Sequence, residues 1–218
     1  MPSTSPLLAD GRRCWLAAPV VHVEVLGDQP VLEGELVRLE PAGPEHLDGL
    51  WPLYDGGEDD PFVAVTREQA RLGLARARER EDRADWAIVR RRNGVVVGEA
   101  VLMDLDEDAS SMSYRIALVG PEVFNQGYGT EATRLVRDFA FGPLGLHRLA
   151  LAVNSFNAAA IAVYVKVGFL LEGVRREAVR HDGSWHDVHD MALIEGDPRP
   201  SAPRSSPLRS DTSRRPRP

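Results

Sequence analysis

A chain of 218 residues is long enough for one substantial domain with a single packed core, or for two small ones. Its 43% hydrophobic and 27% charged residues are ordinary for a globular protein, and a formal net charge of −7 argues against a surface that coats nucleic acid. The single cysteine, Cys14, excludes an internal disulfide or a cysteine metal cluster; nothing points to an oxidising compartment, and a cytoplasmic location is expected.

Arg12-Arg13 before the apolar run Cys14 to Val21 has the look of a twin-arginine signal. The run is short, soon meets His22 and Glu24, and has no convincing small-residue cleavage site. No run approaches the ~18 apolar residues of a membrane span. Residues 1–30 are expected to be a poorly ordered extension and 31–196 the folded domain. Residues 197–218, rich in Pro, Ser and Arg, should be a disordered, solvated tail.

The domain opens with Leu32 to Leu39, read as a strand. A helix follows with Leu47, Leu50, Trp51 and Tyr54 on one face, which Pro52 makes short or kinked. Asp55 to Pro61, acidic and glycine-containing, reads as a loop. Thr66-x-x-Gln69 has the form of a capping box that starts a second helix running to about Arg83. Trp86 to Arg91 and Val95 to Leu105 are strands joined through the hairpin signal Asn93-Gly94. Met112 to Val119 alternates as a half-buried strand does, with Met112, Tyr114, Ile116 and Leu118 on one face. Ala132, Leu135, Val136, Phe139 and Ala140 form the stripe of an amphipathic helix. His147 to Val153 is a short buried strand, and Asn157 to Val167 a helix stopped by Gly168. Phe169 to Arg180 and Trp185 to Ile194 flank Asp182-Gly183 as a final hairpin.

Between the Met112 strand and its helix lies Asn125-Gln126-Gly127-Tyr128-Gly129-Thr130-Glu131-Ala132. Its glycines permit positive φ and close approach of a ligand, and the helix start that follows presents free N–H groups and the positive end of its dipole. A phosphate or pyrophosphate fits there. A P-loop would need a lysine where Thr130-Glu131 stands. Gly127-x-Gly129-x-x-Ala132 formally matches a dinucleotide fingerprint, but the preceding strand ends too early, and the next one ends at Asn154 instead of an acid. A bare tight turn would also have this form.

These residues, with Phe139-Ala140-Phe141, His147-Arg148-Leu149, Asn154, Asn157, Tyr164, Lys166-Val167-Gly168-Phe169, Glu172-Gly173, Arg175-Arg176, Asp182-Gly183 and Asp187, resemble the GNAT superfamily of acyl-CoA-dependent N-acyltransferases. The branch containing the ribosomal-protein-alanine N-acetyltransferases is the most similar, and the resemblance runs from about Leu32 to Ile194. It implies an α/β (α+β) GNAT fold: a mixed, mostly antiparallel twisted sheet of about seven strands, splayed in the middle, with helices on both faces. It also implies an enzyme that moves an acetyl group from acetyl-CoA to a primary amine, either a protein N-terminus or a small cationic amine. The amine attacks directly in a ternary complex. No metal, nucleic acid or membrane enters this expectation, and a homodimer rests on the resemblance alone.

By the resemblance, pyrophosphate lies on the backbone of Gln126, Gly127, Tyr128, Gly129 and Thr130. The pantetheine arm runs along Ala117, Leu118 and Val119, splayed from the strand at His147 to Val153. Phe124 stands where the family pattern has Gln or Arg, a small loss if backbone N–H groups do most of the binding. Tyr164, which shares a helix face with Asn157, faces the leaving thiolate by the resemblance; by spacing alone it is a core aromatic. Asn154 and Asn157 bond the pantetheine amides or cap the helix, and Lys166 reaches a CoA phosphate or stays in solvent.

No carboxylate lies in Ser110 to Val119 to serve as general base. Ser113 and Tyr114 hold the usual positions, and Glu99, Asp104 or a water chain are the substitutes. Asp55, Glu58, Asp59 and Asp60, with the run Asp104, Asp106, Glu107 and Asp108, are either an acidic rim that draws a cationic amine or two solvated loops. A module that holds acyl-CoA without turnover is the alternative to an enzyme.

Overall fold

The computed structural model of the chain describes residues 21–55 and 65–198. Helix α1, Glu24–Asp28, leads into strands β1, Leu32–Glu33, and β2, Val37–Pro41. Helices α2, Leu47–Leu50, and α3, Arg67–Ala77, precede β3, Ala84–Arg90, β4, Val96–Asp106, and β5, Ser111–Leu118. Helix α4, Tyr128–Phe141, β6, Arg148–Asn154, and α5, Ala158–Val167, follow, and β7, Leu170–His181, and β8, Ser184–Ile194, complete the order. The strands form one sheet of eight in the order β1-β2-β3-β4-β5-β6-β8-β7. Neighbours are antiparallel except β5 and β6.

The sheet is covered on both faces, and the period-two alternation of its strands divides the side chains between two cores. Trp86 and Ile88 of β3 join the core under α4, where Trp86 meets Phe139 edge-on at 5.4 Å between ring centroids. Ala87 and Val89 of the same strand join the opposite core, with Leu47, Leu50, Ala70 and Leu74 of α2 and α3.

Local signals place most boundaries. The Thr66 hydroxyl accepts the Gln69 N–H at 3.2 Å while the Gln69 side chain accepts the Thr66 N–H at 2.8 Å, a complete capping box. Asn157 caps α5 by accepting the Ala160 N–H at 3.1 Å, and Gly168 ends that helix with φ of 115°. Asp182 and Gly183 have φ of 48° and 77°, the doubly positive pair of a tight hairpin turn. As Pro52 predicts, α2 is short, with a 3-10 turn at Trp51–Leu53 directly after it.

Three expectations change. Leu32 to Leu39 is not one strand: Leu32 pairs with Leu39 and Glu33 with Arg38, so the stretch folds back on itself and the sheet gains an eighth strand. The turn is held by the Glu131 carboxylate of α4, which accepts the N–H groups of Glu35, Leu36 and Val37 at 2.9, 2.7 and 2.7 Å. The second helix stops at Ala77 instead of Arg83, because its apolar stripe ends and 78–83 is an unbroken run of charged residues. The extension expected to stay loose to residue 30 is packed from residue 21. Leu26 is fully buried in the core under α4, and the Trp86 indole N–H donates to the Pro30 carbonyl at 3.0 Å. Residues 1–20 and 199–218, with Cys14, lie outside the described residues, as do Glu58, Asp59 and Asp60.

Candidate active site

The parallel seam between β5 and β6 is short. Ser111, Met112 and Ser113 pair with Arg148, Leu149 and Ala150, and there the ladder ends, while β5 continues to Leu118 and β6 to Asn154. Strand β6 stays paired with β8 as far as Asn154, so it follows β8 away, and among the described residues no strand lies beside the outer edge of β5 from Tyr114 onward. A bare strand edge presents N–H and C=O groups at the spacing an extended amide chain requires.

At the mouth of this opening α4 begins. Gly127 takes φ of 85°, a left-handed turn that no side chain caps, and Asn125 precedes it at φ of 57°. Helix geometry leaves the first N–H groups, those of Tyr128, Gly129 and Thr130, without an intrahelical acceptor. Side chains brace the turn from beneath: the Tyr128 hydroxyl donates to the Gln126 side-chain oxygen at 2.9 Å, and the Gln126 amide donates to the Glu122 carbonyl at 2.6 Å. A Cβ built on Gly127 would lie 3.1 Å from Leu36, whereas one on Gly129 meets only ordinary contact, 3.8 Å from Leu118.

The β5 edge, the turn and α5 enclose a cavity of about 630 Å³. Of the residues singled out in the sequence, Ala117 and Leu118, the whole run Gln126 to Thr130, Asn157, Tyr164 and Lys166 line it. Val119 and Asn154 do not reach its wall. The Val119 N–H is committed to the Val97 carbonyl at 3.1 Å, and Asn154 is paired with Val188 and caps the turn into α5 through its carbonyl. The sequence reading missed Ala159, Ala160, Ala162 and Val163, the α5 wall of the cavity. The four alanines Ala158, Ala159, Ala160 and Ala162 were the available signal, since such residues leave room beside a helix. Phe124, at the position of the absent Gln or Arg, also lines the cavity.

Tyr164 is 5% exposed, and burial pushes its hydroxyl up to about 12. Its ring sits 6.5 Å from Tyr114 and 5.7 Å from Phe169, centroid to centroid. The Tyr114 hydroxyl is 3.1 Å from the Thr133 hydroxyl, which in turn donates to the Gly129 carbonyl at 2.7 Å. Tyr114 is thereby used to brace the first turn of α4, and Ser113 lies in the closed part of the seam.

The acidic runs separate. Asp106 pairs with Ser111 at the closed end of the seam, roughly 17 Å along the strand from Ile116, so the run from Asp104 to Asp108 does not border the cavity. Asp55 is exposed immediately after Tyr54. Glu99, by contrast, is buried beside the cavity's strand, opposite Ala117 in register. Among the described residues no cluster of three or more His, Cys, Asp or Glu could hold a metal ion, and no helix is long and apolar enough to cross a membrane.

An open mixed sheet parted at its one parallel seam, with a glycine-started helix at the opening, defines an N-acyltransferase fold. The match of residues 37–170 to the family model described as "Acetyltransferase (GNAT) domain" agrees with it. The chain belongs to the GNAT family. It is 28% identical over 172 residues to the N-alpha-acetyltransferase RimI of Mycobacterium tuberculosis, covering 78% of this chain and 96% of that protein. Over 114 residues it is 26% identical to the spermidine N(1)-acetyltransferase of Escherichia coli, covering 52% of this chain and 61% of that one. In fold it is similar to the ribosomal-protein-S5-alanine acetyltransferase of Vibrio fischeri, with a TM-score of 0.66 at 17% identity over 77% of this chain and 98% of that one.

Proposed function

We propose that the chain transfers an acetyl group from acetyl-CoA to a primary amine, the amine attacking the thioester directly while both substrates are bound. The observation that carries this reading is the coincidence of the unpaired β5 edge with the free N–H groups at the start of α4, on one continuous cavity wall. A pyrophosphate fits the N–H groups from Gln126 to Thr130, and the amides of a pantetheine arm fit the edge at Ala117 and Leu118. The arm leads toward Tyr164, whose hydroxyl donates a hydrogen bond to the sulfur as charge gathers there. With its hydroxyl raised to about 12, Tyr164 would give its proton to a simple thiolate of ~8.5 only at a cost on the order of 5 kcal/mol. It therefore stabilises the thiolate without protonating it.

The acceptor is a primary amine of the kind carried by a protein N-terminus or a polyamine, the two classes named among the relatives. Release of free thiol from acetyl-CoA, measured with spermidine, a peptide with a free N-terminal alanine and an aminoglycoside, tests the reading beside a direct measurement of CoA binding. Thiol release that depends on one of these amines is the expected result. Binding of CoA with no amine-dependent release would instead make the chain a module that holds acyl-CoA without turnover.

A further inference from the structure

Glu99 is an acid in the interior of a sheet, where a carboxylate needs strong partners. Only 7% of its side chain is exposed. One carboxylate oxygen accepts the Tyr54 hydroxyl at 2.7 Å, and the other is 2.7 Å from the Arg115 guanidinium. A carboxylate oxygen accepts two hydrogen bonds, so each retains room for another donor.

The register of β4 and β5 sets where this group lies. Glu99 faces Ala117 and Val101 faces Arg115, so Glu99, Arg115 and Ala117 project on one face of the sheet. The alternate residues Tyr114 and Ile116 project on the other, toward α4 and Tyr164. Ala117 and Ile116 both line the cavity, so the opening is bordered by both faces of β5. Directly paired Cβ atoms lie ~5 Å apart. A thioester beside Tyr164 at the parted seam is thus approachable from the opposite face, and there Glu99 stands one strand away.

We propose that Glu99 binds the attacking ammonium and takes its proton, with Tyr54 and Arg115 as positioning residues that hold the carboxylate. This rests on the acetyl-transfer reading above. The N–H bond of the ammonium breaks and its proton passes to Glu99, directly or through one water. The freed lone pair forms the C–N bond, the C–S bond breaks, and its electron pair goes to sulfur. A second proton leaves nitrogen as the amide forms, the thiolate takes one from water, and Glu99 returns its own to solvent. The other described carboxylates are less suited. Asp85, on β3, is two strands from Arg115 and already held by Arg83 at 2.6 Å, and the run from Asp104 to Asp108 lies at the closed end.

The charged and titratable groups facing Glu99 are Tyr54, which follows α2, Arg115 on β5 and, on the neighbouring strand to the other side, Asp85 of β3. Glu99→Gln preserves shape and an oxygen that can accept from Tyr54 but cannot take a proton. In the full chain it is expected to bind CoA with unchanged affinity and to lower kcat/KM for the amine by roughly 100-fold or more at pH 7. The deficit should shrink toward pH 10, where the free amine arrives already neutral. A Glu99→Gln protein within about 3-fold of wild type, with a parallel pH profile, overturns the proposal while amine-dependent turnover by the wild type keeps the acetyl-transfer reading. If the wild type shows no amine-dependent thiol release, both fall together. Should Glu99→Gln fail to fold, Tyr54→Phe decides. Losing the hydrogen bond that holds the carboxylate should lower kcat/KM for the amine at pH 7 while CoA affinity is unchanged, with the deficit shrinking toward pH 10, where the amine arrives neutral. An unchanged kcat/KM, or a deficit independent of pH, overturns the assignment.

Discussion

The roles proposed for Tyr164 and Gly129 each rest on a few atoms, and each can be tested by one substitution. Tyr164→Phe keeps the ring that packs against Tyr114 and Phe169 and removes only the hydroxyl. Loss of a donor that strengthens as charge develops lowers kcat, here by up to ~10² to 10³, while CoA affinity stays near that of the wild type. Steady-state kinetics on an accepted amine with a parallel CoA titration check this; unchanged kcat would leave Tyr164 as a packing residue. Gly129 lies in the first turn of α4 on the cavity wall, and a Cβ there meets nothing closer than 3.8 Å. Gly129→Val should therefore change stability by less than ~1 kcal/mol, since valine is no worse than glycine in a helix. It should weaken CoA binding by at least about tenfold, because in the proposed binding mode the branched side chain stands where the phosphate approaches the N–H groups. Calorimetric titration of the folded variant measures the second effect. Gly127→Val is the less informative change, because φ of 85° strains any side chain whatever the ligand does.

At the scale of elements, α4 is tied to the sheet at its first turn as well as along its apolar stripe. The Glu131 carboxylate binds the three N–H groups of the turn between β1 and β2 across 94 to 96 residues of chain. The Arg91 guanidinium donates to the Gly34 carbonyl of the same turn at 2.6 Å. A Cβ on Gly34 would sit 2.8 Å from the Glu131 carboxyl carbon, so the turn closes tightly over that acid. Hydrogen bonds to a charged acceptor are worth ~1.5 to 3 kcal/mol each when shielded, but two of the three here are exposed and water replaces part of them. Glu131→Ala is expected to lower the unfolding free energy by about 2 kcal/mol in urea. It should also weaken CoA binding modestly, because the same turn of helix holds Tyr128, Gly129 and Thr130 in place. A variant with wild-type stability would show that the stripe of α4 alone fixes the helix start.

For the whole molecule, the buried tyrosines set an alkaline limit. Burial raises Tyr54, Tyr114 and Tyr164 above the ordinary value of 10.0, with the Glu99 carboxylate adding to the rise at Tyr54. A raised folded-state value means the folded chain keeps protons that the unfolded chain has released. The stability from burying these neutral rings is therefore complete below pH 10 and is lost as pH climbs above it. For Tyr164 the window runs from 10.0 to about 12, or ~3 kcal/mol in all. Urea unfolding at pH 9, 10 and 11 should show the wild type losing stability faster than Tyr164→Phe, which lacks that ring's share. Identical slopes would mean that the hydroxyl has ready access to water in the folded chain.

What the sequence determined by itself is local. The capping box of Thr66 and Gln69, the Asn157 cap with Gly168, the Asp182-Gly183 hairpin and the stripe of α4 depend on residues a few positions apart, whose geometry is set by the backbone between them. The glycine turn was legible for the same reason, and with it most of one wall of the cavity. Other features needed the tertiary structure because they join segments far apart in the chain. The parting of β5 from β6 after Ser113 arises because β6 follows β8, which lies at the other end of the sequence. The fold-back of Leu32 to Leu39 depends on Glu131, and the setting of Glu99 on Tyr54, 45 residues away. Alternation could place Glu99 on one face of a strand. Only the register against Ala117 shows that this face borders the opening, because pairing of distant strands is decided by the packed sheet as a whole.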